Sequence, residues 1–252
     1  MGKISAAILV HNNEETISAT IKSVDDIVDE IIIVDDYSLD NTIEIIKNLT
    51  CKAKIYTRAL NNDFAAQRNF SLEKCSNEWV LIIDSDEEID DILKQSILEE
   101  VKSPRSAAYN CIRLNENIAG ATEVKLDRPI LMKKNLFFKD AIHEMISEPM
   151  TFIKDGKLLH HCWFGMSDFM DDLNKYSTWK AKKWILEGRK YTPLFLCIRQ
   201  PLVSAYFFIR RYVFERRFKH RSIGFLYALA WSTEELFVGL KYYEMLKMEN
   251  KS

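Results

Sequence analysis

The chain has 252 residues, of which 47% are hydrophobic and 29% are charged, and its formal net charge is −2. This composition is ordinary for a globular protein, and the length allows one large domain or one domain with an appendage. The five cysteines are odd in number and include no Cys-x-x-Cys pair. This spacing argues against a disulfide framework or a zinc site and predicts reduced thiols.

The start of the chain and its apolar stretches bear on the cellular compartment. The first apolar run, "ISAAILV", is short, and acidic residues follow it closely, which is not the pattern of a signal peptide. No uninterrupted apolar stretch reaches the roughly 18 residues typical of a membrane span. We therefore expect a cytoplasmic protein without a membrane-spanning helix.

The small net charge conceals an asymmetry between two parts of the chain. Residues 1–104 carry 10 basic and 21 acidic side chains, whereas residues 105–252 carry 25 basic and 16 acidic ones. The excess of bases is densest in Lys180–Arg221, with twelve bases and two acids. An acidic front part and a basic back part indicate two different kinds of binding partner.

Four short apolar segments alternate with helical patterns in the first third of the chain. The segments "ISAAILV", "DEIIIVDD", "AKIYTRA" and "EWVLIIDSD" predict buried strands, and "NEETISATIKSV", "DNTIEIIKNL" and "FAAQRNFSLEKC" predict the helices between them. Strands that are apolar throughout are typical of a parallel sheet covered by helices on both faces. The predicted fold class is therefore α/β, with a mostly parallel, Rossmann-like sheet.

The sequence pattern changes after Asp90. One more helix, "DILKQSILEEV", precedes "AAYNCIRLNENIAG" and "RPILMKKNLFF", which predict strands of a mixed sheet. From about Phe164 the pattern is helical to the last residues. We therefore expect an α/β domain over residues 1–163 and a helical, basic and aromatic region over residues 164–252.

Polar side chains leave the carboxyl ends of three predicted strands, where ligands bind in open parallel sheets. They are His11-Asn12-Asn13-Glu14, Asp35-Asp36 and Asp84-Ser85-Asp86. The chain has only seven glycines and neither a GxGxxG nor a GxxxxGK[ST] motif to bind phosphate. An acidic rim that binds a phosphorylated ligand needs a bridging cation, so the pattern predicts Mg²⁺ or Mn²⁺. The alternative is a solvated turn in which Asp90 caps the next helix.

The segments "NEE", "DEIIIVDDYSLDNT", "AAQRN" and "WVLIIDSDEE" together resemble glycosyltransferase family 2, over roughly residues 4–163. Its members are inverting enzymes with a nucleotide-sugar-binding domain of the GT-A type. The pair His143-Glu144 in "DAIHEMI" further resembles bacterial enzymes that add sugars to the lipopolysaccharide core or similar surface glycans. This chain has Asn12 where the family often has lysine, and Tyr37 where it usually has a small residue. Both differences bear on which nucleotide and sugar bind, and not on the metal site.

The resemblance implies roles for individual residues. Asp86 is the expected direct metal ligand, and Asp84 is expected to reach the metal through water or to contact the ribose. Glu144 is the expected base that takes the proton of the acceptor. The residues expected to bind the donor nucleotide, its phosphates or the metal shell are Asn13, Asp36, Arg68, Asp84 and His160. For the histidine, His161 is the alternative.

The residues themselves leave other interpretations open. Arg68 is equally compatible with a solvent-exposed helix charge, and Glu144 with a surface ion pair. A single histidine is more often a packing residue than a ligand.

The segment Lys180–Arg221 interleaves its bases with aromatic residues. Bases beside aromatic and aliphatic side chains suit the surface of an anionic bilayer, and Phe207, Phe208 and Tyr212 form the most suitable group for insertion. The same composition fits a helical hairpin whose aromatic rings pack inside the protein. Nucleic acid is not expected as a partner.

Together these patterns predict a cytoplasmic bacterial glycosyltransferase of cell-envelope biosynthesis, peripheral on the inner face of the cell membrane. It is expected to transfer a sugar, with inversion and a divalent metal, from a nucleotide sugar (UDP-linked by expectation) to a lipid-linked or lipopolysaccharide-type saccharide. One rival is a sugar-phosphate nucleotidyltransferase, disfavoured because "HNNEETI" stands where that class has a glycine-rich basic loop. Another is a catalytically dead relative whose tail binds a membrane or a partner protein.

Overall fold

A computed structural model describes residues 2–61, 63–117, 120–139, 146–161 and 166–249. The chain divides into two compact units. The first comprises residues 1–115 and 123–162, and the second comprises residues 116–122 and 163–252.

The first unit is built on four parallel strands in the order β3-β2-β1-β4. Those strands are β1 (Ile4–Val10), β2 (Glu30–Asp35), β3 (Ala53–Thr57) and β4 (Trp79–Ile82). The helices of this unit are α1 (Ile17–Val24), α2 (Thr42–Leu49), α3 (Phe64–Lys74) and α4 (Asp91–Lys102). The predicted alternation of strand and helix is therefore confirmed over this part of the chain.

The sheet continues beyond β4 with antiparallel strands. They are β5 (Glu87–Ile89), β6 (Ala108–Asn117), β7 (Gly120–Lys125), β8 (Leu131–Lys133) and β9 (Thr151–His161). Strand β8 pairs antiparallel with both β4 and β6, and β5 pairs antiparallel with β9. The α/β fold class with a mixed second part is thus confirmed.

The central strands are apolar throughout because both faces of the sheet are covered. Ile31, Ile32, Ile33 and Val34 of β2 are all fully buried. Alternate residues of β2 belong to two separate hydrophobic clusters, as expected for the two faces of one sheet. This packing fixes the register, and with it the position of the polar residues that follow each strand.

One charged residue is buried at the start of β2. Glu30 accepts hydrogen bonds from Ser5 Oγ at 2.6 Å, from Lys54 Nζ at 2.7 Å and from Ser76 Oγ at 2.9 Å. Burial opposes ionisation of this carboxyl, but these hydrogen bonds outweigh it and lower the pKa from 4.5 to about 2. Glu30 therefore ties the starts of β1, β2 and β3 to the turn that precedes β4.

The second unit is helical, as the pattern predicts. Its helices are α5 (Met166–Leu186), α6 (Pro193–Ile209), α7 (Arg221–Ser232) and α8 (Glu234–Glu249). A π-helical turn (Arg210–Phe214) and a 3-10 turn (Arg217–His220) connect α6 to α7. The core of this unit is formed by Ala181, Trp184, Leu196, Val238 and Tyr242.

One segment of the described residues is long and apolar enough, by length and composition, to cross a membrane. It is Arg217–Met248, one third of whose most apolar stretch is buried. The segment contains no uninterrupted apolar run of that length. It has this composition by its mean hydropathy, which tolerates Glu234 and Glu235 in its middle.

Candidate active site

The acidic loop that follows β4, residues 84–88, is held in place by arginines from distant parts of the chain. Asp84 accepts a hydrogen bond from Arg68 Nη2 at 2.7 Å on one oxygen and from Arg128 Nη2 at 3.0 Å on the other. The same Arg128 nitrogen donates to Glu87, which is fully buried. Arg113 Nη1 lies 3.5 Å from the second oxygen of Glu87. Three guanidinium groups therefore surround two of the clustered acids.

These arginines affect the pKa values of the two acids in different ways. Burial opposes ionisation of Asp84, but Arg128 and then Arg68 outweigh it, so the pKa of Asp84 lies well below its usual range. Burial also raises the pKa of Glu87, and Arg128 only partly opposes this effect. Asp84 is thus ionised and neutralised by two guanidinium groups, which explains how acids this close together are tolerated.

Asp86, unlike Asp84, faces a histidine. Its Oδ2 atom lies 3.3 Å from Nε2 of His160, and the Nδ1 atom of this ring lies 2.9 Å from Oδ1 of Asn115. The antiparallel pairing of β5 with β9 sets Glu87 opposite His160, which brings the histidine to the acidic loop. When Nδ1–H donates to the Asn115 amide oxygen, the lone pair of Nε2 is directed toward Asp86, as in histidines that bind metals.

This pair of residues fits a divalent cation with a limited set of protein ligands. In the described ranges, with their gaps, no three His, Cys, Asp or Glu residues lie close enough to hold a metal by themselves. Both oxygens of Asp84 accept hydrogen bonds from arginines, so among the described residues Asp86 and His160 are the candidate metal ligands. Mg²⁺ and Mn²⁺ commonly take one or two protein ligands and complete their shell with substrate phosphates and water.

The loops that follow β1 and β2 are joined by a series of hydrogen bonds. His11 Nδ1 lies 2.6 Å from the Asp36 carbonyl oxygen, and Thr42 Oγ1 accepts from the Asn13 amide at 2.6 Å. Glu14 accepts from the amide of Asn41 at 3.0 Å. Asn13 and Asp36 therefore lie in one continuous polar edge at the carboxyl end of the parallel strands.

The residue after Asp36 adopts an uncommon backbone conformation. Tyr37 has φ 55° and is 60% exposed, and Asn12 in the facing loop also has φ 55°. Asp36 Oδ1 accepts from the amide of Leu60 at 2.9 Å, which fixes this carboxylate against the chain that follows β3. The bulky side chain of Tyr37 is therefore largely exposed to solvent.

Helix α3 carries the "AAQRN" segment, and each of its polar residues has a separate partner. Gln67 bonds to the backbone and guanidinium of Arg58, after β3. Asn69 exchanges two hydrogen bonds, of 2.9 and 2.8 Å, with the backbone of Phe138. Arg68, between them, is 4% exposed and reaches Asp84. The alternative interpretation of Arg68 as a solvent-exposed helix charge is therefore wrong.

Some predicted residues lie outside the described part of the chain. Glu144 and the neighbouring His143 belong to residues 140–145, which the structure does not describe. His160 lies in β9 beside Asp86, and its neighbour His161 ends that strand. The structure thus brings Asp84, Asp86, Arg68 and His160 together, while the role of Glu144 stays a prediction.

Several residues that no sequence motif indicates contact Asp84, Glu87 and His160. Arg128 and Arg113 are separated from the acidic loop by more than twenty residues, and Asn115 by a similar stretch. No motif marks any of them, since an arginine before a proline in "LDRPI" has no special pattern. Only the antiparallel arrangement of β6, β8 and β9 beside β4 and β5 brings them to the site.

The chain belongs to glycosyltransferase family 2, since residues 5–177 match the family described as "Glycosyl transferase family 2". An uncharacterised glycosyltransferase of Rickettsia typhi is 30% identical over 234 residues, covering 84% of this chain and 78% of the relative. The SPbeta prophage-derived glycosyltransferase SunS of Bacillus subtilis is 28% identical over 165 residues, covering 63% of this chain and 39% of SunS.

Solved structures of S. aureus TarS share the fold. One aligns with a TM-score of 0.52 at 19% identity, covering 87% of this chain and 46% of TarS. Another, TarS 1–349 in complex with UDP-GlcNAc, aligns with a TM-score of 0.51 at 16% identity, covering 92% of this chain and 81% of that one. The sheet with its acidic loop at the carboxyl edge is therefore the GT-A type predicted from the sequence.

Proposed function

We propose that this glycosyltransferase uses a nucleoside-diphosphate sugar, with uridine diphosphate as the nucleotide, and inverts the anomeric centre in a metal-dependent reaction. The observation that carries this proposal is the Asp86–His160 pair, beside an Asp84 that two arginines keep ionised. Family membership and the shared fold of TarS, crystallised with UDP-GlcNAc, support the donor class.

Asp86 and His160 would hold the metal ion in this proposal. A bound divalent cation supplies charge neutralisation for the diphosphate that departs from the sugar. Arg68 and Arg128 hold Asp84 in position. From there Asp84 would contact the ribose or reach the metal through water. Asn13 and Asp36, on the polar edge after β1 and β2, bind the nucleoside.

Inversion is a direct displacement at the anomeric carbon, which requires a base for the proton of the acceptor hydroxyl. Glu144 is proposed for this role because the pair His143-Glu144 resembles a pair in bacterial enzymes that add sugars to surface glycans. In Glu144→Gln, transfer should fall by roughly 100-fold or more while nucleotide binding stays normal, because the amide cannot accept a proton. Product formation and calorimetry with UDP measure the two properties separately. A variant that turns over like the wild type would move the base role to Asp127 or Asp140.

The proposed acceptor is a lipid-linked or lipopolysaccharide-type saccharide, which places the enzyme on the cytoplasmic face of the cell membrane. Support comes from the positive charge of Lys180–Arg221 and from the resemblance to enzymes of surface-glycan assembly. Family membership disfavours the sugar-phosphate nucleotidyltransferase.

One assay separates the remaining possibilities. The protein is incubated with Mn²⁺ and a panel of nucleotide sugars, with and without saccharide acceptors, and the released products are identified. Release of a nucleoside diphosphate supports the proposal. Pyrophosphate would identify a nucleotidyltransferase, and absence of any release across the panel would favour a catalytically dead relative.

A further inference from the structure

Helix α6 has the reverse of the polarity expected for a helix at the surface of a soluble protein. Its buried positions recur at every fourth residue, and they are Leu196, Gln200 and Ser204. The opposite side carries Leu194, Ile198 and Leu202, which are 73%, 58% and 66% exposed. A surface helix normally buries its apolar stripe and exposes its polar side. Two of the three buried residues of α6 are polar, whereas the exposed side is aliphatic.

Helix α7 shows the same reversal. Its buried positions are small, and they are Gly224, Ala228 and Ser232. Its exposed side includes Ile223 and Leu226, which are 40% and 56% exposed. Ser204 Oγ donates to the Ser232 carbonyl, and the Gln200 amide donates to the Glu235 carbonyl. Small residues and interhelical hydrogen bonds in the interior, with aliphatic residues outside, are typical of helices that pack in contact with lipid.

A concentration of positive charge lies between these two helices. The connection Arg210–Arg221 contains six arginine or lysine residues and one acid, Glu215. Four of these bases are exposed, and they are Arg210, Arg216, Lys219 and Arg221. We call this connection the basic turn. We call the aliphatic sides of the two helices the apolar face, defined by Leu194, Ile198, Leu202, Ile209, Ile223 and Leu226.

We propose that the apolar face and the basic turn dock this protein on the surface of an anionic lipid bilayer. Helices α6 and α7 lie in the plane of the interface, with the aliphatic side chains among the acyl chains and the bases on the phosphate groups of the lipids. Docking would bring the site to a lipid-linked acceptor, and in this respect alone the inference rests on the proposed function. The docking itself requires no nucleotide.

Charge selects the lipid surface over a second copy of the chain as the partner. Two copies joined through the apolar face would offer no opposite charge to either basic turn, and like charges at an interface oppose association. An anionic bilayer offers the opposite charge together with an apolar interior. At physiological salt the Debye length is about 8 Å, so the bases act near contact, and the aliphatic residues supply the remaining attraction.

The surroundings of α8 favour docking in the plane over a transmembrane position for Arg217–Met248. Lys180 Nζ lies 2.8 Å from Glu235 and 3.1 Å from Glu234, in the middle of that segment. Helix α8 packs against α5, whose exposed side is charged, with Asp171, Lys175 and Lys182. A spanning α8 would carry these charges into hydrocarbon, at a cost of about 2.5–3.5 kcal/mol each on the insertion scale.

The structure changes which aromatic residues are assigned to the membrane. Phe208 stacks on Tyr212 with ring centroids 5.5 Å apart, and both contact Phe225 edge-on, at 5.3 and 5.6 Å. Phe207, Phe208 and Tyr212 are only partly exposed. The packing alternative therefore describes Phe208 and Tyr212 better than insertion does, and the aliphatic residues of the apolar face take the inserting role.

Three multiple variants test the proposal by co-sedimentation with vesicles of phosphatidylcholine, with or without phosphatidylglycerol. The face variant is Ile198→Gln, Leu202→Gln and Leu226→Gln. The matched control is Ile92→Gln, Leu186→Gln and Met248→Gln, which removes three other exposed apolar residues. The turn variant is Arg210→Ser, Arg216→Ser, Lys219→Ser and Arg221→Ser. Circular dichroism and nucleotide-sugar turnover on a soluble acceptor are measured for every preparation.

Wild type and control should sediment with vesicles that contain phosphatidylglycerol, less at high salt, and only weakly with phosphatidylcholine alone. The face variant should lose roughly tenfold or more in partitioning, because three aliphatic side chains no longer insert. The turn variant should lose its preference for phosphatidylglycerol. Both variants should keep the wild-type helical content and turnover of soluble acceptor. Vesicle binding by a wild type that releases no nucleoside diphosphate would uphold docking while refuting the proposed function.

Several outcomes would overturn the proposal. The face variant sedimenting like the wild type would exclude the apolar face as the docking surface. A wild type that ignores vesicles and elutes as a dimer, with a monomeric face variant, would identify a second copy as the partner. Protein retained in membranes after washing with high salt and alkali would indicate a spanning segment.

Discussion

Strand β2 and helix α6 are both rich in aliphatic residues, yet they place them in opposite environments. In β2 every residue from Ile31 to Val34 is fully buried, with one cluster of the core on each face of the sheet. In α6, Leu194, Ile198 and Leu202 face outward, whereas Gln200 and Ser204 face inward together with Leu196. Hydrophobic content alone therefore does not determine burial, which depends on what packs against each side of the element.

The two units also differ in how they accommodate charge. In the first unit buried charges are paired, as with Asp84 and Glu87 between Arg68, Arg113 and Arg128. In the second unit most bases of the basic turn are exposed. A buried network makes stability sensitive to each of its members, whereas exposed charges act mainly on binding partners and depend on salt.

The largest effect on stability is expected at Arg128. Arg128→Met removes the guanidinium that Asp84 and the buried Glu87 share, and should cost about 3–5 kcal/mol of unfolding free energy, measured by urea denaturation. Adding Glu87→Gln removes one of the two acids that lose this partner and should restore part of that loss. Lys133→Met, at an exposed ion pair with Glu78, should cost about 1 kcal/mol or less. If Arg128→Met is no worse than Lys133→Met, the network does not stabilise the first unit.

Asp86 should affect ligand binding with little effect on stability. Affinity for UDP in the presence of Mn²⁺ should fall by roughly 100-fold or more in Asp86→Ala, since losing only an outer partner of a metal ligand typically costs about 10–100-fold. The fold should persist, because Asp86 is a partly exposed residue within an acidic cluster. Asp91→Ala, whose side chain is 98% exposed, is the control. Calorimetry showing equal affinity in both variants would remove Asp86 from the metal site.

Glu30 should give the first unit a marked sensitivity to acid. Its pKa is about 2 in the folded protein and 4.5 for a free side chain. The folded state therefore binds fewer protons, and the stabilisation is complete above about pH 4.5 and is lost as the pH falls toward 2. The loss should be about 2–3 kcal/mol in the wild type and largely absent in Glu30→Gln, which is less stable at neutral pH. Urea denaturation at a series of pH values measures this. If the unfolding free energy falls equally with pH in both proteins, Glu30 is not the group responsible.

The sequence predicted the elements of the first unit well, because their determinants are local. Continuous apolar strands and periodic helices are readable within ten residues, and Asp90 caps α4 as the alternative interpretation of "DSDEEID" proposed, accepting from Leu93 at 2.7 Å. The capping role of Asp90 is therefore confirmed. The role of Asp84 and Asp86 in binding a metal stays a prediction.

The partners of these acids were not predictable by the same means. Arg128 reaches Asp84 across 44 residues and His160 reaches Asp86 across 74, through antiparallel pairings that no local pattern specifies. In the second unit the sequence of Lys180–Arg221 shows a basic and aromatic composition, but it does not show that the aliphatic side of α6 faces outward. A helical period gives the same signal for a stripe that faces inward or outward.

The smallest effect on stability is expected for an outward-facing residue of α6. Comparing it with an inward-facing residue of the same helix contrasts the two environments directly. Leu202 is 66% exposed and Leu196, in the same helix, is 6% exposed. Leu202→Gln should change the unfolding free energy in water by no more than about 0.5 kcal/mol, since surface substitutions usually stay within that range. Leu196→Gln should cost about 2–5 kcal/mol, because it removes packing and buries an amide among Trp184, Val238 and Tyr242. In the presence of anionic vesicles Leu202→Gln should cost more than it does in water, because it would then weaken a contact that exists only with lipid. Equal costs for the two substitutions in water would mean that the outward side of α6 is covered within the protein itself, and the reversed polarity would then need another explanation than lipid.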